Sequence, residues 1–298
     1  MFILNHMNDS INKDLAAEEQ IRIIDLNDYV LSGGGKLGES YTNKSNPDEL
    51  LKLYSKKLEQ NGLEEYKRAC KVYSIGVPCP APGKMVCTTD GRLGITYTRI
   101  IGKKSYARAL SHNPERLQEY AAMFAKDCKE LHSIKPAPGL FNTAKEQYKS
   151  EINLNPYLSD QEKNGVFHFI DTLPDADTAV HGDLHHGNVI ITDDGHHYFI
   201  DLSDFCTGTP LFDLGVIMLQ TCLIPDEMER ELYHIGLDTS KAFWEAFVHA
   251  YYGPDVPIQE VEAMVRPYAF LRILITERLI GFKVERIRPV IHQMISVS

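Results

Sequence analysis

Between Val180 and Asp201 the 298-residue chain concentrates polar side chains at spacings that could do chemistry: Asp183, His185, His186, Asn188 and Asp201. Val189-Ile190-Ile191-Thr192 and His197-Tyr198-Phe199-Ile200 are β-prone runs on either side of Asp193-Asp194-Gly195-His196, and the Asp-Gly pair predicts a type I′ hairpin turn. A turn centred there sets Thr192 opposite His197, Val189 opposite Ile200 and, one pair further out, Asn188 opposite Asp201. An amide oxygen and a carboxylate delivered side by side suit Mg²⁺, which takes one or two protein oxygens and completes its octahedron with water and phosphates. Asp183 lies five residues before Asn188, and Gly187 permits a tight loop between them. A third acidic oxygen near the pair, not needed as a ligand, is where a base or nucleophile-orienting group belongs. The candidate catalytic residues are therefore Asp183, Asn188 and Asp201, with Asn188 and Asp201 as the metal pair.

The elements that must position these groups fall into two textures. The lead-in to about Leu26 is polar and partly helical, and the first strand is Ile21 to Leu26 or Asp28 to Leu31. A glycine-rich turn, Ser32 to Gly38, and a strand at Leu50 to Tyr54 make a glycine-tipped meander. From Gly62 to Ile75 apolar residues recur at helical spacing, a helix ended by Gly76 with Pro78 soon after. Strands near Lys84–Thr88 and Gly94–Ile101 flank Thr89-Asp90-Gly91. Beyond Gly102 the chain reads as mostly helical, with helical periodicity and long apolar faces over Asn113 to His132 and after Asp213, and the 189–200 strand pair the exception. The expected class is α+β, with a β-rich lobe over residues 1–100 and a helical lobe over 101–298.

The 43% hydrophobic content supplies a substantial core. Thirty-one basic against 41 acidic residues, net −10, disfavour nucleic acid and anionic membrane as partners and mildly favour cationic ligands. Six scattered cysteines without a CxxC pair read as reduced thiols. The first ten residues lack a signal-peptide pattern and no stretch is long enough to span a bilayer, so the expected location is cytoplasmic.

His181-Gly182-Asp183-Leu184-His185-His186-Gly187-Asn188 resembles the HGDxxxxN catalytic loop of the aminoglycoside phosphotransferase and choline kinase superfamily. Ile200-Asp201 through Leu211-Phe212-Asp213-Leu214 is similar to that family's metal-binding segment, with Asp201-Leu202-Ser203 where protein kinases have Asp-Phe-Gly. The resemblance implies a two-lobed kinase-like fold that binds ATP and Mg²⁺ and phosphorylates a hydroxyl of a small molecule such as an aminoglycoside, a choline-like alcohol or a sugar. It implies that Lys52 contacts the ATP phosphates, that Glu65, with Glu64 in competition, is its helix partner, and that Gly33, Gly34 and Gly35 belong to the loop covering the phosphates. Thr98 and Ile100 fall in the segment resembling the hinge that bonds adenine.

Other readings compete. The histidines could form a hydrolase metal centre, and Lys52 could be an ordinary edge-strand lysine. Asp204 is a second metal contact or a loop solubiliser; Asp213 is a helix N-cap or bonds catalytic-loop amides; His181 is an orienting residue. Only eleven residues separate Asp201 from Asp213, with no Ala-Pro-Glu segment, which disfavours a protein kinase. A catalytically silent nucleotide-binding scaffold is the reading from a different class. The acceptor would be lined from a pool comprising Trp244, Tyr251, Tyr252, Glu262, Arg266, Tyr268 and Glu277.

Overall fold

The computed structural model describes residues 21–34, 38–280, 288–289 and 291–292. It divides into two compact units, Met1–Gly102 and Lys103–Ser298.

In the first unit, β1 (Arg22–Ile24), β2 (Tyr29–Gly34), β3 (Gly38–Asn43), β4 (Glu49–Tyr54), β5 (Pro82–Thr88) and β6 (Leu93–Thr98) form one six-stranded sheet in the order β1-β5-β6-β4-β3-β2. The β1–β5 pair is parallel and the others are antiparallel. Both candidate first strands exist, β1 shorter than expected and β2 extended to Gly34, separated by a 3₁₀ turn at Leu26–Asp28 that Asp25 caps through its carboxylate. Strand β3, Gly-Glu-Ser-Tyr-Thr-Asn, has no apolar alternation and is not legible from pattern; its neighbours recruit it. Alternation along β4 buries Leu51 and Leu53 beside Ile24, Tyr29 and Val86. Lys52 is thereby turned to the other face, where its ammonium meets α1 (Glu59–Ser74), the one α-helix among the described residues of this unit. That helix starts three residues earlier than its apolar pattern suggests.

The second unit contains α2 (Tyr106–His112), α3 (Leu117–Ser133), α4 (Ala144–Asn153), α5 (Asp160–Thr172), α6 (Leu211–Met218), α7 (Asp226–Tyr233), α8 (Leu237–Tyr252) and α9 (Ile258–Ile280). The helical periodicity expected over 113–132 is met by α3, which begins at Leu117. Asn113 precedes Pro114, whose ring disfavours helical backbone at the residue before it, so the chain makes a 3₁₀ turn at Pro114–Arg116 and α3 starts afresh. Capping boxes at Thr143/Glu146 and Ser159/Glu162 start α4 and α5. Tyr148, Phe212, Tyr268, Leu271 and Leu274 form a core that also takes in Val180, directly before the candidate site segment. No helix among the described residues is long and apolar enough to cross a membrane.

Strands are more numerous here than the sequence indicates. Besides β9 (Val189–Thr192) and β10 (His197–Phe199), a short strand β7 (Lys103–Ser105) adds to β9, and β8 (Thr178–Val180) pairs antiparallel with β11 (Cys206–Gly208). Three-residue strands are too brief to show a period of two.

The hairpin register corrects the sequence reading by one residue. His197 pairs with Ile191, Tyr198 with Ile190 and Phe199 with Val189. Only Gly195 in the loop has positive φ (+83°), whereas a type I′ turn needs it at both central residues. The loop therefore has three residues, Asp193 to Gly195, closed by Gly195 N–H to Thr192 O (3.0 Å) and Thr192 N–H to His196 O (2.9 Å). Asn188 consequently lies opposite Ile200, whose N–H donates to the Asn188 carbonyl (3.0 Å), and Asp201 is the next residue beyond.

Candidate active site

The loop from His181 to Asn188 is held in place by buried Asp213 on α6, whose Oδ2 accepts from the His181 N–H (2.8 Å) and whose Oδ1 accepts from the Gly182 N–H (2.8 Å). The second expected role of Asp213 is thus the one observed; the N-cap position of α6 is Pro210. His132 Nε2 lies 3.1 Å from the same carboxylate, and its Nδ1 is 2.8 Å from the Tyr251 hydroxyl. Gly182 has φ +83°, and a Cβ there would lie 2.2 Å from the Asp204 carbonyl oxygen, so both its backbone and its neighbour demand glycine. His181 is buried and joins the loop to the hairpin: Nε2 donates to Ile200 O (2.9 Å), and Nδ1 accepts from Asp183 N–H (3.3 Å).

Asp183 and Asn188 come together within this loop. The Asn188 amide nitrogen donates to the Asp183 carbonyl (2.9 Å) and reaches its Oδ2 (3.4 Å), which leaves the amide oxygen to face the other way. Exposed Asp201 has left-handed backbone, φ 57° and ψ 56°. Aspartate tolerates that region better than most residues, yet it still costs about 1–3 kcal/mol. The left-handed conformation changes the direction of the chain at Asp201, where a straight continuation of β10 would simply alternate.

The other oxygen of Asp183 is engaged by a residue absent from the sequence-based candidates. Arg272 on α9, with its side chain 9% exposed, donates through Nη2 to Asp183 Oδ1 (2.9 Å) and through Nη1 to Asp204 Oδ2 (2.9 Å). Its signal was a lone arginine within Ala269-Phe270-Leu271-Arg272-Ile273-Leu274-Ile275, since arginine is almost never buried unless paired. Burial pushes the Asp183 carboxyl up, but Arg272 foremost pulls it back, for a net position below the ordinary aspartate value. Asp204 is therefore an ion-pair partner as well as a loop residue.

Burial lowers the pKa of His185, with Asp183 opposing, and that of His186 to about 3, so both imidazoles are neutral near pH 7. His185 Nδ1 accepts from the Gly187 N–H (3.0 Å) and lies 3.3 Å from the Tyr233 hydroxyl. No group of three or more His, Cys, Asp or Glu able to hold a metal occurs among the described residues. The alternative of a histidine-rich hydrolase centre has no geometry behind it.

A cavity of about 380 Å³ in this unit is lined by Gly187, Ile190 and Ile200 together with Lys103, Lys104 and Arg108. It combines an apolar wall, a glycine of the catalytic loop and cationic side chains. The expected acceptor pool fares differently. Trp244 and Tyr268 are buried core residues, Tyr251 packs against His132, and Glu262 pairs with Arg266 at 3.5 Å. Tyr252 keeps 39% exposure, and the Glu277 side chain lies outside the described residues.

In the first unit Lys52 Nζ is 2.6 Å from Glu65 Oε1, while Glu64 is exposed and takes Gln60 and Lys67. Gly33 and Gly34 lie at the end of β2 opposite Ser40 and Glu39; Gly35 lies outside the described residues. A Cβ at Gly33 would meet nothing within 4 Å, so packing does not explain that glycine. Thr98 ends β6 with its N–H on the Ala81 carbonyl (2.9 Å), and Ile100 is buried.

No curated protein matches the chain. Among solved structures, a choline kinase from Streptococcus pneumoniae has a TM-score of 0.55 at 16% identity, covering 99% of this chain and 100% of its own. An aminoglycoside phosphotransferase from Streptomyces rimosus gives 0.52 at 14%, with coverage of 82% and 92%. A third, an aminoglycoside phosphotransferase with ADP bound, gives 0.53 at 16%, with coverage of 97% and 94%. At these identities the likeness establishes the fold, two-lobed and kinase-like, in agreement with the α+β expectation. The sequence model of the phosphotransferase enzyme family matches residues 39–251, most of the chain, and the protein therefore belongs to that family.

Proposed function

We propose that the protein is a kinase that transfers the γ-phosphoryl group of ATP to a hydroxyl of a small molecule by direct in-line displacement. The observation that carries this reading is the pairing of Asp183 with Asn188 on a loop anchored by Asp213, with Asp201 one residue beyond Ile200, the hairpin partner of Asn188. Asp183 orients the acceptor hydroxyl and takes its proton as the new O–P bond forms; the ADP oxygen leaves with the electron pair of the broken bond.

Asn188 and Asp201 would hold Mg²⁺. Their oxygens are the hard donors that ion prefers, and the engaged amide nitrogen of Asn188 leaves its oxygen as the free end. When bound, the ion supplies charge neutralisation on the phosphates. Lys52, fixed by Glu65, is the phosphate-binding cation of the N-terminal unit, with Gly33 to Gly35 over the phosphates and the segment containing Thr98 and Ile100 on adenine. The apolar wall at Ile190 and Ile200 suits a purine face.

Asp183 keeps 29% of its side chain exposed, enough for a hydroxyl to reach it. A protein substrate is disfavoured by the short segment from Asp201 to Asp213. ADP release, measured with and without Mg²⁺ across amino alcohols, aminoglycosides, choline-like alcohols and sugars, tests the reading. Acceptor-stimulated ADP formation that disappears in EDTA is expected; no stimulation by any class, or phosphorylation of added proteins only, would overturn it.

A further inference from the structure

Arg272 joins the two loops that the proposed chemistry needs in register. Asp183 belongs to the loop before β9, and Asp204 closes the 3₁₀ turn Leu202–Asp204 directly after Asp201. One guanidinium bridges their carboxylates at 2.9 Å on each side. With Asn188 on Oδ2 and Arg272 on Oδ1, each carboxylate oxygen of Asp183 has its own donor, which removes rotation about the side chain's last bond.

The fold sets the reach of Arg272. Gly215 on α6 lets α9 approach so closely that a Cβ there would lie 2.6 Å from the Tyr268 Cβ and 2.8 Å from the Ala269 nitrogen. Arg272 follows Tyr268 by one helical turn and so projects from the same face. Asp213, two residues before Gly215, grips the catalytic loop from α6. The contact that brings α9 onto α6 thus also brings a cation to the loop that α6 holds.

We propose that Arg272 is a positioning residue for phosphoryl transfer, fixing the orientation of Asp183 relative to the loop that carries Asp201. This rests on the proposed kinase function and adds to it a group from the C-terminal helix. Arg272 donates to protein carboxylates and acts through Asp183. A planar fork is needed because lysine, a single ammonium, cannot reproduce two divergent N–H bonds of fixed geometry.

The test is a double-mutant cycle in ADP formation with an acceptor found by the screen above. Arg272→Ala should lower kcat about 10- to 100-fold, the scale expected when a reacting group is misplaced by an ångström, with KM for Mg·ATP within about twofold of wild type. In an Asp183→Asn background the same change should cost almost nothing more, because the residue through which it acts is already disabled. Guanidinium added at tens of millimolar should restore part of the Arg272→Ala rate and leave Asp183→Asn unmoved. Removing a buried cation from two carboxylates can unfold the protein, so Arg272→Lys is the second variant: it should fold, bind Mg·ATP and lose several-fold in kcat.

A full multiplicative loss in the Asp183→Asn background, or wild-type kcat in Arg272→Lys, would overturn the positioning role. A wild-type protein that forms no ADP with any acceptor would instead overturn the kinase reading on which the role rests.

Discussion

Replacing Asp213 with alanine should disable the catalytic loop by releasing its backbone. The carboxylate is fully buried and holds the N–H groups of His181 and Gly182 at 2.8 Å each, with His132 at 3.1 Å. Alanine leaves two buried amides without acceptors at about 1–3 kcal/mol each, a total of about 2–6 kcal/mol. For a unit the size of Lys103–Ser298, roughly 2–4 °C of melting temperature corresponds to each kcal/mol. The expected fall is therefore about 4–24 °C in differential scanning calorimetry. Asp213→Asn keeps one oxygen and should lose less. Since Gly182 is pressed against Asp204, the loop cannot shift toward it to find substitute partners. An Asp213→Ala protein that melts within about 2 °C of wild type and forms ADP normally would refute this account of what fixes the loop.

Two further perturbations probe other groups. Lys52→Ala should weaken Mg·ATP binding about 10- to 100-fold in calorimetric titration, the worth of one charge-assisted hydrogen bond to phosphate; an unchanged Kd would remove Lys52 from the nucleotide site. Glu229 on α7 is fully buried, neither carboxylate oxygen has a hydrogen-bond partner, and burial raises its pKa to about 7 with the nearby Ser240 hydroxyl offsetting part of the rise. Because the folded value lies above the unfolded one, the folded state holds the proton more tightly, so stability is lost as pH climbs from about 4.5 to about 7. The loss is about 3 kcal/mol at one pKa unit per 1.36 kcal/mol. Glu229→Gln should match wild type at pH 4.5 and melt higher at pH 8; parallel melting curves against pH for the two proteins would rule this out.

The candidate site residues are more legible in the sequence than the scaffold around them. Asp183, Asn188 and Asp201 are legible because they are close in sequence and lie beside β-prone runs whose pairing can be reasoned out. The hairpin register still came out one residue off, because Asp-Gly serves a two-residue I′ turn and also a three-residue loop with glycine at its left-handed position. Nothing local distinguishes the two, and the left-handed backbone at Asp201 has no sequence signature. Arg272 was missed for a different reason: its partners lie 89 and 68 residues away, and only the packing of α9 on α6 brings them together. Strands β7, β8 and β11, of three residues each, show no period of their own: β7 pairs with β9, and β8 and β11, 26 or more residues apart in sequence, pair with each other only through the fold. Trp244 and Tyr268 illustrate the converse, since an aromatic residue on a helix fits a core as readily as a pocket.

The central claim is a division of labour between two carboxylates, Asp201 on the metal–nucleotide and Asp183 on the acceptor. Calorimetric titration of Mg·ATP into Asp183→Asn and Asp201→Ala, with kcat measured beside it, tests that claim most directly. Asp183→Asn should bind Mg·ATP nearly as wild type does while kcat falls about 10²–10⁴-fold, the usual contribution of a positioned base; Asp201→Ala should lose nucleotide binding and turnover together. If Asp183→Asn loses Mg·ATP as completely as Asp201→Ala, or turns over at near wild-type rate, the assignment is contradicted.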